Sequence, residues 1–359
     1  MSKRKLIALA AAACAGGAFA QGSVNISGTL DVGLQHNTNA LGVHLDRLET
    51  RHEPSYIAFS GIEDLGGGLQ ARFLLSMSVA VDSGSNVGGF NRESYVAFGS
   101  TQWGSVALGR QYDTIVDLVG VDPPRFNSVN AVHLGNWDRT AGSYVNNVIK
   151  YRTPNWGGFT GSLMYSPKED GSSNTNTGKA WGASLNYVSG PLRVSAAYLD
   201  LDGVAHRPFN DTGRINLFGA NFPNATATLV TNDHISGIGA YYDFAAFRPL
   251  GEITYTKLHA PNGSIESLRT ISLGVVANPN TIGFRPGIGV DYSSMSGSHW
   301  TSVFGILDYY FSKRTDVYFR VVSQNATGGP ATQRAALFLE GPSGSRHQTV
   351  LGVGVTQRF

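Results

Sequence analysis

The chain has 359 residues, with 27 lysines and arginines against 25 aspartates and glutamates. Three of the basic residues, Lys3, Arg4 and Lys5, lie in a leader that we expect to be removed, so the remaining chain is close to neutral. This balance gives no indication of a nucleic-acid partner. The single cysteine, Cys14, lies in the same leader. Disulfide frameworks, cysteine-based zinc clusters and thiol nucleophiles are therefore excluded from the mature chain.

The first twenty residues have the pattern of a cleaved secretory signal peptide. The basic start is followed by an apolar stretch from Leu6 to Cys14, and Ala18-Phe19-Ala20 fits the small-x-small cleavage pattern. We expect residues 1–20 to be the signal and residues 21–359 to be the mature chain. Beyond the leader, no apolar run reaches the length that a membrane-spanning helix needs.

Apolar and polar side chains alternate with period two from the start of the mature chain. In the first such segment Val24, Ile26 and Leu34 share one face, and Asp31 and Gln35 share the other. This alternation, with 45 glycines and many aromatic residues, predicts an all-β protein. The segments number about sixteen: 22–35, 50–63, 68–80, 91–100, 103–111, 143–153, 157–166, 179–189, 191–202, 232–244, 246–258, 265–277, 281–294, 299–312, 315–324 and 347–359.

The polar face of these segments carries arginines, such as Arg72, Arg193 and Arg320. Burying unpaired arginines in a dry core is costly, whereas a water-filled lumen removes that cost. The pattern therefore favours a wide membrane barrel over a soluble sandwich. Tight turns alternate with longer polar segments, which is typical of barrels with short periplasmic turns and long outer loops.

The last predicted strand ends at Phe359. Leu351, Val353 and Val355 share its parity, and the other parity is small or polar. We expect this strand to pair with the first one and so to remove the edge of the sheet. The expected location is the outer membrane, reached after export through the cleaved signal.

Five motifs follow one another along the mature chain: GIEDLGGGLQA at 61–71, NRESYVAFG at 91–99, WGSVALGRQ at 103–111, NVIKYRTP at 147–154 and LDYYFSKRTD at 307–316. In this order, and with the closing strand, they resemble the general diffusion porins of Gram-negative bacteria, particularly the β-proteobacterial branch. The resemblance covers nearly the whole mature chain. It implies a 16-stranded antiparallel transmembrane β-barrel, usually a homotrimer, through which ions and small hydrophilic solutes diffuse.

The resemblance also implies that the third outer loop, here residues 112–139, folds inward and narrows the pore. Opposed charges across such a gap create a field that sets ion preference. The candidate constriction residues are Arg92, Arg110, Arg139, Lys150 and Arg152 on the basic side, and Asp113, Asp117 and Asp122 on the loop. The other expected partners are outer-membrane lipid and lipopolysaccharide, and the barrel-insertion machinery through Phe359. No cofactor is expected.

One position departs from the family pattern. Where the family usually has Ser-Arg before a Gly-Phe-x-Gly strand, this chain has Ser55 followed by Tyr56. Arg51 lies five residues upstream, in a different part of the strand, and does not replace the missing arginine. We therefore expect only a weak anion preference, and Tyr56 itself is a candidate for narrowing the constriction.

A barrel enzyme and a non-conducting adhesin barrel are the two alternative classes. A barrel enzyme needs a Ser–His or Asp–His group at the rim, and no motif indicates one. A non-conducting adhesin needs very long outer loops or a passenger domain, and neither is visible. The nine histidines show no metal-binding spacing, so no metal site is expected.

Overall fold

Extended strands provide most of the regular structure. The computed structural model describes residues 23–85, 88–123, 129–168, 178–277 and 283–359, so the predicted signal peptide lies outside the described residues. The strands are β1 Ser23–Ala40, β2 Val43–Glu49, β3 Tyr56–Gly66, β4 Leu69–Ser78, β5 Ser94–Ser100, β6 Gly104–Tyr112, β7 Tyr144–Arg152, β8 Phe159–Ser166, β9 Ala180–Ser189, β10 Leu192–His206, β11 Asn216–Leu217, β12 Ala220–Asn221, β13 Thr228–Tyr242, β14 Phe247–His259, β15 Ile265–Ala277, β16 Gly283–Met295, β17 Ser298–Tyr310, β18 Thr315–Gly328, β19 Ala336–Leu337, β20 Gly341–Pro342 and β21 His347–Arg358.

The main sheet closes on itself through β21. This strand pairs antiparallel with β1, where Val355 lies opposite Val32, and with β18, where Val353 lies opposite Phe319. The other edge of β1 pairs with β3 along its first half and with β2 along its second half. β2 and β3 therefore lie end to end and together take the place of one strand in the barrel wall, which we call one wall position. The barrel therefore has sixteen antiparallel strand positions and no free edge, which confirms the predicted fold class.

The two faces of the sheet follow the predicted alternation. In β1, Val24 is 64% exposed and Leu34 is 62% exposed, whereas Asp31 is fully buried. In β18, Phe319 is 50% exposed and the neighbouring Arg320 is 1% exposed. Apolar side chains thus point outward, toward lipid. Polar side chains point inward, where they form hydrogen bonds and ion pairs with one another and with the loops.

The second wall position differs from the prediction. The predicted segment 50–63 is β3, which begins only at Tyr56, and β2 was not predicted. Between these two strands the chain turns around Asp31, whose Oδ1 accepts hydrogen bonds from the backbone N–H groups of Arg51 at 3.0 Å and of His52 at 3.1 Å. A polar side chain on the opposite strand therefore produces this break.

The segment between β6 and β7 contains 3₁₀ helices, at Thr114–Leu118, Val129–Ala131 and Leu134–Asn136. Side chains of the first helix, Ile115 and Leu118, form an apolar cluster with Leu199 of β10 and Ile235 of β13. Both strand residues have the parity of the polar, inner face. A short α-helix, Pro208–Thr212, lies in another long loop. No helix among the described residues is long and apolar enough to cross a membrane.

Candidate functional site

Two cavities lie between the inner face of strands β3 to β7 and the 3₁₀ helix Thr114–Leu118. Their volumes are about 480 and 440 Å³. Both are lined by Glu93, Tyr112 and Val116. The first is also lined by Tyr56 and Arg92, and the second by Arg72, Asp117, Lys150 and Arg152. Five of the nine predicted constriction residues therefore line these two spaces.

Tyrosine rings hold Arg92 in the first cavity. Its guanidinium carbon lies 4.7 Å from the ring centroid of Tyr56 and 5.7 Å from that of Tyr144, and its Nη2 donates to the hydroxyl of Tyr112 at 3.1 Å. The hydroxyl of Tyr144 donates to that of Tyr112 at 2.6 Å. A cation over an aromatic face is stabilised by the ring quadrupole, so Tyr56 orients this arginine although it adds no charge of its own.

Arg110 also contacts Tyr144, but it lines neither cavity. Its Nε donates to the backbone oxygen of Asn91 at 2.9 Å, and its Nη1 donates to the side chain of Asn146. Its guanidinium carbon lies 5.2 Å from the ring centroid of Tyr144. These contacts join the outer end of β6 to the neighbouring segments, and they place Arg110 as a support for Tyr144.

Asp113 and Arg139 meet each other within the loop. Asp113 is the N-cap of the helix Thr114–Leu118, and its Oδ1 accepts from the N–H of Ile115 at 2.9 Å. Its Oδ2 accepts from Nε of Arg139 at 2.5 Å. The first and last parts of the loop are thus joined by one ion pair at a helix N-terminus, where a carboxylate is favoured.

Asp117 connects the helix to the barrel wall. Its Oδ1 lies 3.5 Å from Nη2 of Arg152, and its Oδ2 accepts from the hydroxyls of Ser162 at 3.3 Å and of Ser184. The ammonium group of Lys150 donates to the backbone oxygen of Asp113 at 3.3 Å. An acidic loop residue and two basic wall residues are therefore brought together beside the second cavity.

Asp122 lies in a different place, between the later part of the loop and the wall. Its Oδ1 is 3.5 Å from Nε2 of His133, and both side chains are fully buried. Burial alone lowers the pKa of His133, but the carboxylates of Asp138 and Asp122 raise it to well above its usual range. The structure does not bring Asp122 to either cavity.

Sequence reasoning did not single out Glu93 or Tyr112, which line both cavities. For Glu93 a signal was present, because it directly follows Arg92 and has the same parity as the inner-face residues of β5. For Tyr112 there was none, because its contacts with Arg92 and Tyr144 depend on how the strand ends cross.

Comparison with known proteins gives one consistent family. A family model described as Gram-negative porin matches residues 7–329. Outer membrane porin protein 32 of Delftia acidovorans is 31% identical over 296 residues, which cover 78% of this chain and 77% of that protein. An outer membrane porin protein of Bordetella pertussis is 27% identical over an alignment that covers all of both chains.

Solved structures show the same architecture. The anion-selective porin from Comamonas acidovorans superimposes with a TM-score of 0.76 at 22% identity, covering 94% of this chain and 100% of that one. The trimer form of OmpT of Vibrio cholerae superimposes with a TM-score of 0.69 at 13% identity, covering 94% and 99%. At these identities the likeness concerns the fold.

Proposed function

This chain belongs to the Gram-negative porin family and lies in the outer membrane, and from that premise we propose that it forms a water-filled channel for the passive diffusion of ions and small hydrophilic solutes. The observation that carries the proposal is the pair of cavities between the wall β3–β7 and the loop helix Thr114–Leu118. Both lie on the polar face of the barrel. Charged side chains from wall and loop line them, as a path for hydrated ions requires.

In this proposal the loop 112–139 constricts the channel. Support comes from its described residues, since Asp117 bonds to inner-face serines of β8 and β9, and Leu118 packs on inner-face residues of β10 and β13. The basic side of the constriction consists of Arg92, Lys150 and Arg152. The acids that face it are Asp117 of the loop and Glu93 of the wall.

We propose that the channel prefers anions weakly. Around the second cavity three cationic side chains, those of Arg72, Lys150 and Arg152, stand against two carboxylates, those of Glu93 and Asp117. The small excess of positive charge favours anions, but the paired carboxylates reduce the net field. Tyr56 occupies the place of a family arginine and leaves the first cavity with less positive charge.

We expect the purified protein to conduct in planar lipid bilayers, with conductance that scales with bulk salt and a zero-current potential that shows a small preference for anions. A salt gradient across the bilayer measures the preference. Stepwise closures in groups of three support the homotrimer. A protein that inserts without conducting contradicts the proposal and favours a barrel enzyme or an adhesin.

Replacing Tyr56 with arginine should strengthen the anion preference. A unit charge about 6 Å from a permeating ion in water changes its energy by about 0.7 kcal/mol, so the anion-to-cation permeability ratio should rise at least about threefold. The zero-current potential measures it. Tyr56→Phe keeps the ring beneath Arg92 and should leave the ratio unchanged. Equal ratios in Tyr56→Arg and wild type would show that this position lies off the ion path.

The remaining partners are also part of the proposal. The outward apolar belt fits outer-membrane lipid and lipopolysaccharide. The backbone N–H of Phe359 donates to the carbonyl of Gly28 at 3.1 Å, and the residue is 43% exposed. An exposed aromatic residue directly after β21 suits recognition by the barrel-insertion machinery. Chemical cross-linking in outer-membrane fragments tests the homotrimer, and a ladder that ends at the dimer would contradict it.

A further inference from the structure

Two valines of the loop helix face the first cavity. In the helix Thr114–Leu118 and its C-cap Val119, side chains three residues apart lie above one another. Ile115 and Leu118 form one such row and are fully buried against the barrel wall. Val116 and Val119 form the next row, are only half-buried, and line the first cavity. The loop therefore presents an apolar surface to this space, for which a path of hydrated ions alone has no use.

Apolar side chains continue this surface on the barrel wall. The same cavity is lined by Pro54, which lies before β3, by Ala58 of β3 and by Leu74 of β4. Its volume of about 480 Å³ is in the range of sites that hold small organic molecules. The first cavity thus offers room and apolar contacts for a small carbon skeleton.

Arg92 supplies a guanidinium to this cavity. Its carbon lies over the rings of Tyr56 and Tyr144, and its Nη2 donates to the hydroxyl of Tyr112. No carboxylate within the described residues forms an ion pair with Arg92, and the side chain is only half-buried. A guanidinium has five N–H donors, so donors remain for a ligand in the cavity. Because the rings already hold it in place, this arginine is prepared to bind a carboxylate through two parallel hydrogen bonds.

Two carboxylates also line the cavity, and both have other cations as their main partners. Glu53 forms an ion pair with Arg358 at 2.5 Å. Glu93 lines both cavities, and the charges of Lys150 and Arg152, which line the second cavity, act on it more strongly than that of Arg92. The charge of Arg92 is therefore available to an anion that enters from solution.

We propose that the first cavity binds small carboxylates that carry an apolar ring, with the carboxylate on Arg92 and the ring against Val116 and Val119. The inference rests on the proposed channel and names a solute class for it. A short aliphatic acid has the charge but no ring to cover the valines. A neutral ring compound has no group that pairs with the guanidinium. The site therefore distinguishes ring-bearing acids from both kinds of solute.

The test uses the full mature chain in detergent micelles, with benzoate as the probe. Ligand-observed NMR titrations measure the dissociation constants of benzoate, acetate and benzamide. We expect benzoate to bind at least about tenfold more tightly than either of the others, because acetate lacks the ring and benzamide lacks the charge.

Replacing Arg92 with glutamine should weaken benzoate binding by about tenfold or more, since it removes the charged partner of the carboxylate. Arg207→Gln is the matched control. It removes an exposed arginine of an outer loop and should bind benzoate as wild type does. Because all variants are titrated in the same micelles, benzoate taken up by the detergent cancels in the comparison. Each variant is first checked for the folded, fast-migrating form in gel electrophoresis.

Replacing Val116 and Val119 together with threonine keeps the shape of the helix surface and makes it polar. Benzoate binding should weaken by about threefold or more, and acetate binding should stay the same. Val353→Thr makes the same exchange on the outer face of β21 and should change neither constant.

The proposal is overturned if wild type binds benzoate no more tightly than acetate, or if Arg92→Gln binds benzoate as wild type does. Conduction is measured separately in planar bilayers. A barrel that conducts but has no preference for benzoate contradicts only the solute class. A barrel that binds benzoate through Arg92 without conducting contradicts only the channel.

Discussion

Replacing Glu340 with alanine should lower the stability of the folded barrel by about 3–5 kcal/mol, because it leaves several buried side-chain amides without their acceptor. It also removes one of the two carboxylates that pair with Arg47, whose other partner is Glu49. The carboxylate of Glu340 is fully buried. It accepts from Nη2 of Arg47 at 2.6 Å and from the amides of Gln35 and Asn37 at 2.8 Å. It also accepts from Nδ2 of Asn130, in the loop between β6 and β7, at 2.8 Å.

One side chain of the last outer loop thus holds β1, β2 and the candidate constriction loop together. Its loss should lower the temperature at which the folded, fast-migrating form disappears in gel electrophoresis, and should make the loops more sensitive to protease. Glu63 is an exposed acid near a periplasmic turn, so Glu63→Ala is the matched control and should change neither property. If the folded form disappears at the same temperature in Glu340→Ala as in Glu63→Ala, the four hydrogen bonds contribute little to the stability of the barrel.

The barrel was predictable because each strand separates lipid from a polar interior. Phe319 and Arg320 are neighbours in sequence, yet one is half exposed on the outer face and the other is almost fully buried on the inner face. Side chains alternate between faces with period two, so this difference can be read without coordinates. The break between β2 and β3 could not be read, because it depends on Asp31 reaching residues 51 and 52 on the neighbouring strand.

The residue types of the candidate site were predictable, but the directions of their side chains were not. Motifs supplied the residue types, and the loop carboxylates Asp113, Asp117 and Asp122 are all near the wall. Their directions, however, depend on local contacts: the first caps a helix, the second bonds to wall serines and the third faces His133. A 3₁₀ helix of five residues turns successive side chains in different directions, and no period in the sequence reveals which one meets the lumen.

Replacing Gly237 with valine should reduce the single-channel conductance by a factor of about two or more, since conduction depends on the narrowest part of a pore. Gly237 lies on the inner face of β13, beneath the loop helix. A Cβ there would lie 2.5 Å from Cδ1 of Leu118, which is closer than packed atoms allow. Leu118 is fully buried in the cluster with Leu199 and Ile235, so its side chain has little room to turn aside. We therefore expect the helix to shift away from β13, toward the opposite wall that carries Tyr56 and Arg92.

Two further variants separate this effect from general damage. Gly305→Val adds the same side chain on the outer face of β17, where the nearest atom to a new Cβ is 3.6 Å away, and should leave conductance unchanged. Leu118→Ala combined with Gly237→Val removes the clash and should restore conductance toward the wild-type value. Overpacking costs about 1–3 kcal/mol, so the single variant should still fold. The helix packs on β13 and faces the basic wall. If Gly237→Val raises the conductance, or if the double variant conducts as little as the single one, the helix does not form the constriction.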